Sequence, residues 1–220
     1  MLIEPYATSM SDYRSIFAPG LMQGQVALVT GGGSGIGRCT AHELKSLGAR
    51  IALVGRTWEM LEQVKQELDD PDTFIFAADL REEDQVKAAV DGVLKWSGRI
   101  DGLINNAGGQ FPAPLKDISL NGWNAVIRNN MTATFLMSKE VYLRSMEQHG
   151  GAIVNVGADF ELGMPGMGHN GAAPRRPDQL HLHGLRRMGS FGRAGELGDP
   201  GLHRLVGPRP LSGARARRAA

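Results

Sequence analysis

The strongest chemical signal in the sequence is a glycine-rich run that directly follows a short apolar segment. The run reads Thr30-Gly31-Gly32-Gly33-Ser34-Gly35-Ile36-Gly37, and it comes after Val26–Thr30, whose composition is typical of a buried strand. Glycines at a strand-to-helix turn let the backbone approach a pyrophosphate, and the N–H groups that open the next helix face its negative charge. The run therefore predicts a dinucleotide-binding turn rather than a merely flexible one, and its predicted cofactor-binding residues are Gly31, Gly33, Ser34, Gly35, Ile36 and Gly37.

A single arginine bears on which nicotinamide cofactor such a turn would hold. Arg56 follows the second short apolar run, Ile51–Val54, at the position that usually distinguishes the two cofactors. An acidic side chain there would accept hydrogen bonds from a free ribose 2′-hydroxyl, whereas an arginine pairs with a 2′-phosphate. Arg56 therefore predicts NADP(H) rather than NAD(H). The alternative is a solvated arginine at the start of a loop.

These residues need elements that position them, and the period of the apolar residues predicts such a scaffold. The predicted strands are Val26–Thr30, Ile51–Val54, Phe74–Ala77, Gly102–Asn105 and Ile153–Val156. The predicted helices are Gly35–Leu47, Trp58–Leu68, Glu82–Trp96, Ser119–Asn130 and Met131–His149. Strand and helix in alternation predict an α/β fold, a Rossmann-like doubly wound parallel sheet with helices on both faces.

Four landmarks in this order resemble the short-chain dehydrogenase/reductase family. The family's T-G-x-x-x-G-x-G is matched in full from Thr30 to Gly37, and the later landmarks are Asp79-Leu80, Asn105-Asn106-Ala107-Gly108 and Asn130. The resemblance implies that Asp79 and Leu80 contact the adenine and that the cofactor is also bound by Asn106, Ala107 and Gly108. It implies a catalytic role for Asn130, which would hold a water molecule and the active-site backbone. Taken singly, the alternatives are a loop cap at Asp79, a turn residue at Asn106 and a helix kink at Asn130.

The chain departs from the family at the usual catalytic set. A serine after the fifth strand and a Tyr-x-x-x-Lys would fall on Gly157, near Asn170 and near Pro174, and none of the three side chains is present. The segment Gly166–Ala173 instead resembles a branch that includes trans-2-enoyl-CoA and 2,4-dienoyl-CoA reductases. The resemblance implies an NADP(H)-dependent oxidoreductase that reduces an enoyl-CoA double bond, with activity impaired in this chain. The alternatives are a carbonyl or alcohol dehydrogenase of the same family and a non-catalytic cofactor-binding remnant.

The last part of the chain differs in composition from the rest. Residues 1–173 hold six lysines and eight arginines against twenty acidic residues, a balance of −6, whereas residues 174–220 hold ten arginines, no lysine and three acidic residues, a balance of +7. Read one nucleotide later, permitted codons from Met188 to Gly201 yield W-G-A-S-G-V-R-V-N-S-V-I-P-G, which contains the family's V-R-V-N and P-G in register. We therefore expect a frameshifted, disordered tail over 174–220. The rival interpretation is a basic nucleic-acid-binding arm.

The predicted organisation is an N-terminal arm over 1–23, an NADP-binding Rossmann-like domain over 24–173 without its C-terminal strands, and the tail. Composition and apolar runs exclude a membrane-spanning protein, and the lone Cys39 favours a reducing compartment, so we expect a cytoplasmic protein. The expected partner is a small-molecule or acyl-CoA substrate, with neither nucleic acid nor metal. The family forms homo-oligomers, and loss of the helix near residue 170 would weaken such assembly here.

Overall fold

The computed structural model describes residues 15–157, and the centre of that part is a five-stranded parallel sheet. Its strands are β1 (Val26–Thr30), β2 (Arg50–Gly55), β3 (Phe74–Ala77), β4 (Gly102–Asn105) and β5 (Ala152–Asn155). Their spatial order is β3-β2-β1-β4-β5, and every neighbouring pair is parallel. The chain thus starts at β1, winds outward to β3 and returns to β4 on the other side. This confirms the predicted doubly wound sheet.

The strands form where they do because both faces of the sheet are covered. In β1, Leu28 packs into one apolar cluster, while its neighbours Ala27 and Val29 pack into a second cluster on the opposite face. A strand buried on both sides is apolar throughout rather than alternating, which is why its limits are readable in the sequence. The predicted bounds of three strands agree with the structure, and those of β2 and β5 differ by one residue at each end.

Helices cover the two faces. They are α1 (Gly35–Ser46), α2 (Trp58–Glu67), α3 (Glu83–Ser97), α4 (Leu120–Ile127), α5 (Ala133–Val141) and the short α6 (Glu147–His149). The α2 side chains Leu61 and Val64 pack against one face of the sheet, and Val90 of α3 with Met137 of α5 against the other. The N-terminal ends of α1, α2 and α3 all follow the carboxyl ends of strands, which brings them to one edge of the sheet.

One predicted boundary is wrong. The sequence pattern indicated two helices that meet between Asn130 and Met131, but the structure holds one helical run from Leu120 to His149. Two wider turns of π type, Arg128–Thr132 and Tyr142–Met146, interrupt its regular α geometry. The paired asparagines are weak helix formers, so their types indicate an end, whereas the chain absorbs them in a π turn.

Several predictions concern residues outside the described part. The tail over 174–220, the positions near Asn170 and Pro174, and the strands expected beyond β5 all lie there. So does most of the N-terminal arm, while its last residues, from Ser15 onward, form turns before β1. Among residues 15–157, no helix has both the length and the apolar character needed to cross a bilayer.

Candidate active site

The glycine-rich turn folds tightly against the loop that follows β4. Gly31 has φ +64°, and a Cβ there would lie 3.0 Å from Cα of Ala107. At Gly37 a Cβ would lie only 2.3 Å from the carbonyl oxygen of Gly31. Both positions therefore need glycine, the first for its backbone conformation and its close approach, the second because the turn passes directly over the helix start. The sequence prediction of a tight turn is confirmed.

A hydroxyl group joins these two loops. Thr30 Oγ1 accepts hydrogen bonds from the backbone N–H groups of Asn106 at 3.0 Å and Ala107 at 2.9 Å. The side-chain amide of Asn106 in turn donates to the carbonyl oxygens of Thr30 and Gly31, at 3.1 and 3.3 Å. The turn and the loop after β4 therefore lie side by side, as predicted. The role of the Thr30 hydroxyl was not foreseen, although its place at the head of the motif was visible.

An open cleft of about 340 Å³ lies at the carboxyl ends of the strands, at the point where the strand order reverses. Ligands of doubly wound folds bind at such a point. The cleft is lined by most of the sequence-predicted residues, namely Gly31, Gly33, Ser34, Gly35, Ile36, Arg56, Asp79, Leu80, Asn106, Ala107 and Gly108. Gly37 and Asn130 lie outside the lining. Side chains that the sequence analysis missed complete the wall, among them Thr57, Met60, Leu61, Asn129 and Ala133.

Two guanidinium groups surround Asp79 in the cleft. Arg81 Nε donates to both carboxylate oxygens of Asp79, at 2.8 and 3.0 Å, and Arg81 Nη2 donates at 2.5 Å. These hydrogen bonds, with the positive charges of Arg81 and Arg56 and against the effect of burial, lower the pKa of Asp79 to about 2. Asp79 is therefore an anion at neutral pH. Among the described residues, the exposed Arg56 forms no ion pair, so its charge is available to a ligand.

The cleft has the chemistry that a phosphorylated dinucleotide requires. Ser34 is the N-cap of α1, but its side chain makes no hydrogen bond to the N–H groups of the first turn. Those groups are therefore left for an anion, which the helix dipole also favours. The N-cap of α2, Thr57, likewise makes no capping bond, and it stands next to Arg56. The residues present thus fit a dinucleotide with a further phosphate near Arg56.

Asn130 acts on the loop rather than on the cleft itself. Its Oδ1 accepts a hydrogen bond from the N–H of Gly109 at 3.0 Å, and its Nδ2 donates to the carbonyl oxygens of Gly109 and Val126, both at 2.9 Å. The side chain therefore fixes the backbone just beyond Gly108. This contact matches the expectation that Asn130 holds the active-site backbone, and the π turn gives the side chain this reach.

Gly157 occupies the place of the family's serine. It is exposed, it follows β5 by two residues, and a Cβ there would meet no atom within 4 Å. The structure thus leaves room for a side chain that this chain lacks. Within residues 15–157, no group of three or more His, Cys, Asp or Glu side chains is arranged to hold a metal ion.

Comparison with known proteins identifies what this architecture is similar to. A family model described as short chain dehydrogenase matches residues 25–170. The peroxisomal 2,4-dienoyl-CoA reductase of Danio rerio, the (3E)-enoyl-CoA-producing form, is 36% identical over 211 residues, which cover 93% of this chain and 67% of that protein. A probable 2,4-dienoyl-CoA reductase of Bacillus subtilis, the (2E)-enoyl-CoA-producing form, is 33% identical over 156 residues, 69% of this chain and 61% of that protein.

A solved structure extends the comparison. The citronellol catabolism dehydrogenase AtuB of Pseudomonas aeruginosa superposes with a TM-score of 0.76 at 47% sequence identity, over 81% of this chain and 74% of that one. The agreement in fold is therefore accompanied by substantial agreement in sequence.

Proposed function

Because the chain belongs to the short-chain dehydrogenase/reductase family of NAD(P)-dependent oxidoreductases, we propose that it uses NADP(H) to reduce a carbon–carbon double bond of an unsaturated acyl-CoA. The observation that carries the cofactor part is the cleft in which the glycine-rich turn, Arg56 and Asp79 converge. The substrate part rests on the two relatives named 2,4-dienoyl-CoA reductases.

The unpaired charge of Arg56 supports NADP(H) over NAD(H). A guanidinium at the end of β2 gives a 2′-phosphate a charge-assisted partner, whereas a 2′-hydroxyl would need an acceptor there. Asp79 does not oppose this assignment, because Arg81 compensates its negative charge. The remaining cofactor-binding residues of the proposal are Gly31, Gly33, Ser34, Gly35, Ile36, Gly37, Leu80, Asn106, Ala107 and Gly108.

The chain's own residues would bind and orient the reactants. The bound cofactor supplies a hydride, and the protein contributes orientation and electrostatics. The N–H groups at the start of α1 would hold the pyrophosphate, and Arg56 the 2′-phosphate. Asn130 would keep the backbone beyond Gly108 fixed, so that the wall next to the nicotinamide end does not move. Its proposed role is therefore one of positioning.

The proposal is tested by two measurements on the 220-residue chain. Titration with NADPH and NADH, followed by nicotinamide fluorescence, should give tighter binding of NADPH. Oxidation of NADPH should then be followed with a trans-2,trans-4-dienoyl-CoA and a trans-2-enoyl-CoA. We expect slow turnover, because the usual Ser, Tyr and Lys are absent from the sequence. Tighter binding of NADH would contradict the cofactor assignment, and a complete lack of acyl-CoA reduction the substrate assignment.

A second candidate is an alcohol or carbonyl dehydrogenase, since the citronellol catabolism dehydrogenase shares 47% of its sequence with the matched part of this chain. The discriminating assay is citronellol with NADP⁺ beside the acyl-CoA substrates. Turnover of the alcohol alone would select this candidate. A chain that binds NADPH without turning over either substrate would be a cofactor-binding remnant.

The organisation and location of the protein belong to the same proposal. We retain residues 24–173 as the cofactor-binding domain, 1–23 as an arm and 174–220 as a frameshifted tail. The family match ends at residue 170, near the proposed change of frame, whereas the Danio rerio match covers 93% of the chain and so includes part of the tail. The single cysteine, Cys39, supports a reducing compartment, which we take to be the cytoplasm.

A further inference from the structure

The backbone of Asp79 is held by a side chain that does not line the cleft. The N–H of Asp79 donates to Gln85 Oε1 at 2.7 Å. Only the carbonyl oxygen of a carboxamide accepts a hydrogen bond, so this contact also fixes which way the Gln85 amide points. Gln85 is the third residue of α3, which has Glu82 as its N-cap. In a capping box the third residue bonds the N-cap N–H, whereas Gln85 reaches three residues further back.

Gln85 acts at the point where the sheet stops controlling the chain. The N–H of Ala78 still bonds to the carbonyl oxygen of Gly55 at 2.8 Å, which is the last contact of this segment to β2. The next N–H belongs to Asp79 and goes to Gln85. The carbonyl oxygen of Asp79 accepts from the N–H of Glu82 at 3.1 Å, which closes the turn into α3. Gln85 therefore sets the peptide plane from which the Asp79 side chain projects.

We propose that Gln85 is a positioning residue for the adenosine half of the cofactor and that it acts through Asp79. With the bond in place, the Asp79 backbone is fixed by α3, and its carboxylate by Arg81. Without it, the N–H of Asp79 turns to water and the carboxylate is held by Arg81 alone, itself two residues further along the same loop. This inference rests on the proposed function, because the orientation of Asp79 matters only if the cleft binds a nicotinamide dinucleotide.

The chain offers a matched pair of substitutions. Gln85→Met keeps the length and shape of the side chain but removes the acceptor. Gln66→Met is the control, because Gln66 is also an exposed glutamine on a helix, with a hydrogen bond to Glu62 at 3.4 Å away from the cleft. Gln85→Glu restores an acceptor oxygen and is the rescue variant. Its added charge is screened when binding is measured in at least about 0.15 M salt.

The four proteins are titrated with NADPH and with adenosine 2′,5′-bisphosphate, which is the adenosine half of NADPH without the nicotinamide. We expect Gln85→Met to weaken both ligands by the same factor, roughly three- to tenfold, since one hydrogen bond to an exposed backbone group is lost. Gln66→Met should bind both ligands like the wild type. Gln85→Glu should recover most of the affinity, which a general loss of folding would not allow.

Each other outcome overturns a defined statement. Unchanged affinities in Gln85→Met would overturn the positioning role and leave the proposed function intact. A loss for NADPH without a loss for the bisphosphate would also overturn it, because the effect would lie outside the adenosine half. A wild type that binds neither NADPH nor NADH would overturn the proposed function, and the inference with it. If the wild type prefers NADH, the NADP assignment fails, and the same comparison with NADH and adenosine 5′-monophosphate decides the role of Gln85.

Discussion

At the scale of single residues, the cleft contains two arginines with different tasks. Arg81 is bound to the carboxylate of Asp79, whereas Arg56 has no carboxylate partner among the residues that the structure describes. An arginine that is already paired neutralises its partner and adds little to ligand binding, while an unpaired one attracts an anion. The two side chains should therefore respond differently to mutation.

Arg56→Ala should remove the preference for NADPH. An arginine–phosphate contact contributes about 1.5–3 kcal/mol, so the NADPH affinity should fall about ten- to a hundredfold while the NADH affinity changes little. Fluorescence titration of both cofactors measures this ratio. Lys65→Ala, on the same helix that Arg56 precedes, serves as the control for the loss of one positive charge. Equal losses for both cofactors would contradict a phosphate-specific role.

Arg81→Ala should raise the pKa of Asp79 from about 2 toward its ordinary value of 3.8. Because the folded-state pKa is depressed, the pair stabilises the protein fully above the unfolded value and loses this effect as pH falls through the folded value. The difference in the free energy of unfolding between wild type and variant should therefore shrink between about pH 4 and pH 2. Urea unfolding over this range measures it. A difference independent of pH would show that Asp79 is not the group responsible.

At the scale of elements, the site depends on backbone segments that touch without space for a side chain. The glycine-rich turn crosses the start of α1, and Gly37 is the contact point, as its Cβ position 2.3 Å from the Gly31 carbonyl oxygen shows. Backbone atoms held by β1 and α1 cannot move aside as a flexible side chain would. The turn and the helix therefore tolerate no methyl group between them.

Gly37→Ala should destabilise the fold by about 1–3 kcal/mol, because overpacking against a fixed carbonyl forces the backbone apart. It should also weaken cofactor binding, since the N–H groups at the start of α1 would be displaced. Gly102→Ala is the control, because its Cβ would meet Ala27 Cα at an ordinary 4.0 Å. Thermal melting and NADPH titration of both variants give the comparison. Equal melting temperatures would show that the turn is more adaptable than its geometry indicates.

Asn130→Ala should loosen the loop beyond Gly108. It removes the bonds to the backbone of Gly109, so we expect a loss of about 1–2 kcal/mol in stability and a weaker NADPH complex. Hydrogen exchange of the Gly109 amide should become faster than in the control Asn121→Ala, which alters an exposed asparagine at the start of α4. Unchanged exchange at Gly109 would contradict the positioning role of Asn130.

Strand limits were predictable because burial on both faces leaves continuous apolar runs, as in Val26–Thr30. The turn was predictable because its glycines meet a steric demand. The continuity of the helical run at Asn130 was not, because it depends on a tertiary contact with Gly109. The same holds for the contact of Gln85 with Asp79, since local residue types do not state which distant backbone group a side chain binds.

At the scale of the whole molecule, the proposed change of frame near residue 174 determines what the gene was built to encode. The nucleotide sequence across codons 165–180 is the direct measurement. We expect it to show an open alternative frame that encodes the family's V-R-V-N and P-G. The same Arg-rich frame in independently sequenced relatives would contradict the proposal.

A frame-corrected protein should then exceed the present chain in two properties. Its acyl-CoA reductase turnover should be higher, because the restored segment supplies the family's missing helix and strands. Its melting temperature should rise as well, since a longer sheet buries more apolar surface. Both proteins are assayed side by side with NADPH. Equal turnover and equal melting would contradict the prediction.

The bonds between Thr30 and the loop after β4 also set the order of events during folding. Thr30 and Asn106 are 76 positions apart, and β1 receives β4 only after β2 and β3 have been made. Bringing such distant segments together costs loop-closure entropy before the contact stabilises anything, which makes the step slow. A nascent chain that ends before residue 107 thus carries the glycine-rich turn but lacks the opposite wall of the cleft. The cofactor should therefore bind only after this late step, and its presence would then trap the newly closed fold.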